Sequence, residues 1–318
     1  MRKERGPLVS FVPTAVDPRV KFVLIATDFS SASVKPLHHA LAIARHYGAR
    51  LCIAHVIWPV GYLMAGPEAL ELGCEGARKD AHELQRDLIT KGLLNGLDYE
   101  LIVRQGGVWD ELEVLIMQKE IDLVVVGTHA RRGIEKLLLG SVAEKVFRDS
   151  DCPVLTVGPH SYQEGRVDLT DGTQTYLFAT DFGDASLHAL PLAISLAHRA
   201  HAKLIFVHVV PAARTPEGSG WYSTSDLLLM RENARMACLR RLEHLLPNDE
   251  QAPLKTESIV QFGVPSEKIL QVALNRRADL IILGLSRPSL VSATSHVPWA
   301  TAYEVVCGAG CPVLTVRQ

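Results

Sequence analysis

Glycine, serine and arginine gather in one stretch of the chain in a pattern suited to holding an anion. Residues 127–133 read Gly127-Thr128-His129-Ala130-Arg131-Arg132-Gly133, and Gly140-Ser141-Val142 follow at the expected head of a helix. Glycine lets a backbone approach a phosphate closely. The free N–H groups of a helix N-terminus, with their partial positive charge, suit the same anion. Ser141 adds a hydroxyl. Arg131 and Arg132 add charge, although arginines on a surface loop are as readily solvated. Two other segments end apolar runs with polar residues: Ala26-Thr27-Asp28 and His55-Val56. A carboxylate at a strand end is placed to accept hydrogen bonds from a base or a sugar hydroxyl, and it serves equally well to start the following loop. Val56 offers an apolar floor for a flat ring. His55 is read as structural, with no chemistry assigned.

These segments need a scaffold that brings them together, and the chain carries that scaffold twice. LIATDF at 24–29 returns as LFATDF at 177–182, and LCIAHV at 51–56 as LIFVHV at 204–209. IDLVVVG at 121–127 returns as ADLIILG at 278–284, and CPVLTV at 152–157 recurs unchanged at 311–316. The order is the same and the offset drifts by only a few residues, so a whole domain is duplicated rather than a short solenoid unit. Runs such as Leu123-Val124-Val125-Val126 are continuously apolar, the mark of a strand buried on both faces of a parallel sheet. Strands are expected near 22–27, 50–57, 99–104, 122–126 and 153–157, with helices near 33–47, 67–92, 109–119 and 139–149. The second half repeats the strands near 175–180, 203–210, 255–261, 279–283 and 312–316. Gly48 suits a helix C-terminus, and Asp110 and Ser266 are expected to cap the third helix of each half. This alternation predicts an α/β fold with two tandem, doubly wound, five-stranded parallel sheets. The boundaries read as an N-terminal arm over 1–20, domains over 21–158 and 175–318, and a linker over 159–174. In such sheets ligands bind beyond the carboxyl ends of the strands, where the strand order reverses.

The totals narrow the function. The 318 residues suffice for two domains, and the net charge of −2 gives no electrostatic claim on nucleic acid or on an acidic membrane. No apolar run is long enough to span a bilayer. Pro7 and Pro13 interrupt the first apolar stretch, which therefore reads as an arm rather than a signal peptide. The six cysteines form no CxxC pair and read as reduced, mostly buried thiols of a cytoplasmic protein.

Gly127, Gly140 and Ser141 fit the spacing of the nucleotide motif G-x2-G-x9-G-(S/T) that follows strand four in the universal stress protein family. The strand-one aspartate, the His-Val pair and the CPVLTV strand also resemble that family, over nearly the whole chain and twice. The resemblance implies an adenine nucleotide α-hydrolase-like fold that binds ATP, possibly with Mg2+. It implies that Ala26, Asp28 and Val56 surround the adenine, that Gly127 lies by the ribose, and that Ala130, Arg131, Gly140, Ser141 and Val142 hold the phosphates. Thr27, Thr128, His129 and Gly133 complete the expected nucleotide-binding set. One departure is that Ala130 replaces the second glycine, which strains the loop if that position needs a positive φ. The resemblance further implies that the last strands of the two halves pair antiparallel as a pseudo-twofold, and a homodimer through another face remains open.

The second half departs further. Gly284 and Asp181 remain, but Leu285-Ser286-Arg287 follows Gly284, and Trp299-Ala300 stands opposite Gly140-Ser141. A tryptophan there is expected to fill the phosphate space. The alternative is that the longer loop supplies other anion ligands from Arg287, Ser292 or Thr294. Three functions therefore stand: a nucleotide-binding regulatory module, a slow ATPase or phosphotransfer enzyme using His129, and an interaction scaffold without nucleotide. The chain has no Walker-type G-x4-G-K-(S/T) and no carboxylate pair beside the loop for magnesium. The long second-helix regions, 61–92 and 216–246, read as amphipathic helices packed on the sheet, with a lid or partner surface as the alternative.

Overall fold

The computed structural model describes residues 20–58, 66–128, 139–159, 174–211, 224–246, 254–286 and 296–318. In the first half, strands β1 (Phe22–Ala26), β2 (Arg50–Ile57), β3 (Tyr99–Gln105), β4 (Leu123–Gly127) and β5 (Val154–Val157) alternate with four helices. These are α1 (Val34–Tyr47), α2 (Pro67–Thr90), α3 (Val108–Gln118) and α4 (Ser141–Asp149). The second half repeats the plan with β6 (Thr175–Ala179), α5 (Asp184–Arg199), β7 (Lys203–Val210), α6 (Thr224–Glu243) and β8 (Thr256–Phe262). It continues with α7 (Pro265–Arg276), β9 (Leu280–Leu285), α8 (His296–Gly308) and β10 (Val313–Arg317). The expected strands all form, within two residues of their predicted ends. Gly48 closes α1 in the left-handed conformation at φ 62°.

Within each half the strands are parallel, and together they make one sheet in the order β3-β2-β1-β4-β5-β10-β9-β6-β7-β8. Among the described strands β5 and β10 are the one antiparallel pair, with Leu155 opposite Leu314 at its centre. The buried side chains of one sheet face pack with α3, α4, α7 and α8, and those of the other with α1, α2, α5 and α6. Each of these two cores runs without interruption through both halves. Polar contacts reinforce the seam. Arg317 is buried, and its guanidinium donates to the carbonyls of Phe147 at 2.9 Å and Ser150 at 3.0 Å. A cation there meets the partial negative charge at the C-terminus of α4.

Some local expectations fail for clear reasons. The N-cap of α3 is Gly107, and Asp110 sits inside the first turn. Pro265 starts α7 two residues earlier than expected, so Val264 is the cap and the Ser266 hydroxyl donates to Glu304 of α8 instead. All six cysteines are free thiols, but only Cys52 and Cys311 are buried. The helix α6 buries Leu242 at its C-terminal end and lays Arg231 over the Phe262 ring, while Leu227, Leu228, Leu229 and Met230 are exposed. Among the described residues, no helix is long and apolar enough to cross a membrane.

Two predictions follow from this packing. A carboxylate at the seam would lie in a dry, apolar layer. Leu314→Asp is therefore expected to cost about 3 kcal/mol or more in urea unfolding, against about 0.5 kcal/mol or less for an exposed change such as Leu274→Asp. The second concerns His39 of α1, which lies beside the seam. Its pKa is lowered to about 4 by burial first, and then by the charges of His38 and Lys35. The folded state thus favours neutral His39, a contribution present above the unfolded value of about 6.5 and lost as pH falls towards 4. Between pH 7 and 4.5, His39→Leu is expected to lose about 2 to 3 kcal/mol less stability than the native chain.

Candidate functional site

The polar residues at the end of β1 are held by their own turn. The Thr27 N–H donates to the Ala54 carbonyl at 2.9 Å, extending the β1–β2 ladder by one residue. Phe29 then takes a left-handed backbone at φ 60°, a conformation that costs a non-glycine residue about 1 to 2 kcal/mol. Its N–H donates to Thr27 Oγ1 at 3.1 Å. Its ring stacks on the His55 imidazole with centroids 4.4 Å apart. His55 Nδ1 lies 2.8 Å from the Thr27 carbonyl oxygen. A carbonyl can only accept, so Nδ1 carries a proton and donates. Asp28 Oδ1 accepts the Ser33 hydroxyl at 2.6 Å and the Ser30 N–H at 3.0 Å. The carboxylate is exposed and also fixed in direction.

This turn forms one wall of a cavity of about 210 Å³. It opens beyond the carboxyl ends of β1, β2 and β4, at the point where the strand order 3-2-1-4-5 reverses. Ala26, Thr27, Asp28, Val56, Gly127, Gly140, Ser141 and Val142 all line it. Thr128 does not: it is buried beside β5, with its N–H donating to the Val157 carbonyl at 3.0 Å. His129, Ala130, Arg131 and Gly133 lie outside the described residues. The inner wall is apolar, with Val108 and Leu112 from α3 and Val126 from β4. At the opposite end stands the head of α4. Its cap residue Gly140 has no side chain to bond the first turn, and the first backbone bond runs from the Glu144 N–H to the Gly140 carbonyl at 2.8 Å. The N–H groups of Ser141, Val142 and Ala143 therefore precede the helical ladder, as an anion site requires.

Two polar lining residues, Ser33 and His55, are not among those expected from the sequence to hold a ligand. The signal was present in the repeat. Asp28-Phe29-Ser30-Ser31-Ala32-Ser33 returns as Asp181-Phe182-Gly183-Asp184-Ala185-Ser186, so a serine follows each aspartate at the same distance. The second turn has the same construction: Ser186 donates to Asp181 Oδ1 at 2.9 Å, His208 Nδ1 to the Thr180 carbonyl at 2.8 Å, and Phe182 has φ 62°.

Gly127 has a second reason to be glycine. A β-carbon there would lie 2.7 Å from Pro36 Cγ of α1. At Gly284, the matching position, it would lie 2.2 Å from the Ala185 carbonyl oxygen. Close helix packing demands both glycines whether or not a ligand binds.

Trp299 departs from expectation. Its ring does not line the second-half cavity but crosses the seam to Phe147 of α4, with centroids 4.6 Å apart and the Arg148 guanidinium 5.7 Å from the ring centroid. The cause is that α8 begins at His296, a turn earlier than α4 does in the repeat register. Trp299 is therefore a helical residue that packs outward on the neighbouring helix.

The glycine contacts generate a comparative prediction. Gly127→Ala meets the edge of a proline ring, whereas Gly284→Ala meets backbone. Both variants are expected to be destabilised, Gly127→Ala by about 1 to 3 kcal/mol and Gly284→Ala by more, as read from urea unfolding.

Comparison with known proteins identifies the lineage. The sequence model of the universal stress protein family matches residues 20–158 and again 172–317. Universal stress protein MJ0531 of Methanocaldococcus jannaschii is 30% identical over 138 residues, covering 43% of this chain and 81% of that protein. A universal stress protein of Thermus aquaticus is 31% identical over 141 residues, covering 43% of this chain and 98% of its own length. These relatives each match less than half of the chain, as a duplicated domain requires. The crystal structure of a universal stress protein from Archaeoglobus fulgidus superposes with a TM-score of 0.65, over 94% of this chain and 99% of that one. At 19% identity this likeness shows the fold alone.

Proposed function

Because this chain belongs to the universal stress protein family, we propose that its first half is a regulatory module that binds an adenine nucleotide, with ATP as the preferred ligand. The observation that carries the reading is the cavity itself. An apolar slot and a fixed carboxylate stand at one end, and the uncapped head of a helix stands at the other. A nucleotide has the same polarity along its length: a flat base, a sugar rich in hydroxyls and an anionic tail.

In this reading the base lies between Ala26, Val56 and Val108. The Asp28 carboxylate, held by Ser33, accepts hydrogen bonds from the base or the sugar. Gly127 lies beside the sugar. The phosphates meet the N–H groups of Ser141 and Val142 and the Ser141 hydroxyl, and the helix dipole of α4 favours their charge. His129, Ala130, Arg131 and Gly133 are proposed to complete that end from the connecting loop. Mg2+ would accompany the phosphates.

The boundaries of the module are proposed as residues 21–158, with the partner domain over 175–318, a linker over 159–174 and an arm over 1–20. The two domains are proposed to act as one pseudo-twofold unit in the cytoplasm, through the pairing of β5 with β10. The register of Leu155 on Leu314 and the continuous cores support this. Occupancy at the head of α4 would be felt across the seam, because Phe147 of the same helix carries Trp299.

The test is to purify the chain without added nucleotide, denature it and identify any released small molecule by chromatography and mass spectrometry. ATP is expected at close to one per chain. Should none be released, calorimetry with ATP, with and without Mg2+, decides the matter, and silence there overturns the reading. Ser141→Asp, which places a negative charge at the helix head, is expected to weaken ATP binding by about tenfold or more.

A further inference from the structure

We infer that the second half holds a separate small-molecule site that takes a neutral, flat heterocycle of the nucleobase or nucleoside class and disfavours its phosphorylated forms. The choice of heterocycle rests on the nucleotide reading of the first cavity, whose base end this site repeats. The exclusion of phosphate rests on the helix geometry of the second half alone.

A cavity of about 300 Å³ lies beyond the carboxyl ends of β6, β7 and β9, larger than its counterpart in the first half. Its base end has the same construction as the first. Asp181 accepts the Ser186 hydroxyl and the Gly183 N–H at 2.8 Å. The Ser186 hydroxyl also lies 2.9 Å from Thr180 Oγ1, a contact in which either group can donate. His208 is locked by the Thr180 carbonyl through Nδ1, so its Nε2 offers a lone pair. Burial first, and then the charge of Arg241, lowers the His208 pKa, against the opposing effects of the Thr180 carbonyl and Asp181. The ring therefore stays a neutral acceptor at pH 7. Val207, Val209, Ile269 and Leu283 supply apolar walls. These acceptors and walls suit a ring system with N–H or O–H donors on its edge.

The other end differs in kind. The helix α4 starts at Ser141 and leaves its first N–H groups at the cavity. The helix α8 starts at His296, and the residues that match Ser141, Val142 and Ala143 are Ala300, Thr301 and Ala302, already in its second turn. In an α-helix their N–H groups bond the carbonyls four residues back, at 296–298. Thr301 and Ala302 still line the cavity, but with side chains instead of free donors.

Adenosine binding is measured by calorimetry on the full chain saturated with ATP. The expected result is about one further adenosine per chain, a shift of the His208 ring resonances on its addition with those of His55 unmoved, and binding weakened about tenfold or more by Thr301→Phe. Val209→Phe fills the same cavity from the strand and serves if Thr301→Phe does not fold. Adenosine that displaces ATP one for one with no second uptake overturns the inference. ATP bound at two per chain overturns the exclusion of phosphate. If the chain binds no ATP at all, the reading of the first cavity fails. Adenosine uptake that survives Ser141→Asp and is lost in Thr301→Phe then still establishes the second site.

Discussion

The antiparallel pairing of β5 with β10 is the contact on which the rest of the molecule depends. Either strand alone would be the open edge of a five-stranded sheet, a row of unpaired backbone groups flanked by exposed leucine and valine. Pairing satisfies those groups and fuses two cores into two continuous layers. It also brings α4 and α8 side by side, because each helix immediately precedes its edge strand. Arg317 and Trp299 then act on α4 from the other half, one at its terminal carbonyls and one at Phe147. The head of that same helix faces the first cavity, so the seam and the site share one rigid element.

The strand-end turns show how a conserved geometry can serve packing and binding together. Threonine, aspartate, phenylalanine and serine form a closed set of hydrogen bonds in both halves, locked to a histidine on the next strand. The left-handed phenylalanine is strained, and its stacking on the histidine offsets part of that cost. The set orients a carboxylate without spending its exposure, which is what a recognition group needs. Gly127 and Gly284 likewise answer first to the close approach of α1 and α5 and only then to a ligand.

The halves diverge where the register of a helix changes. One additional turn at the start of α8 converts free N–H donors into bonded ones and swings Trp299 onto the neighbouring helix. Backbone hydrogen bonding thus alters the electrostatics of a cavity while leaving its base end intact. A duplicated scaffold can acquire two different sites by this means, with little change in its core.

Much of this was legible in the sequence. Buried parallel strands need continuous apolar runs, and helices need their own periodicity, so the alternation and its repetition declared the fold. Asp28, Val56, Gly140 and Ser141 were found because the chemistry of a strand end or helix head is local to a few residues. Other features were decided only by the tertiary structure. The partner of Ser266 is Glu304, on another helix. The need for Gly127 comes from Pro36, some ninety residues away in the chain. The direction of Trp299 depends on where α8 begins and on what lies across the seam. Sequence records the preferences of neighbours along the chain, whereas contacts between distant segments exist only once the sheet has closed and set them side by side.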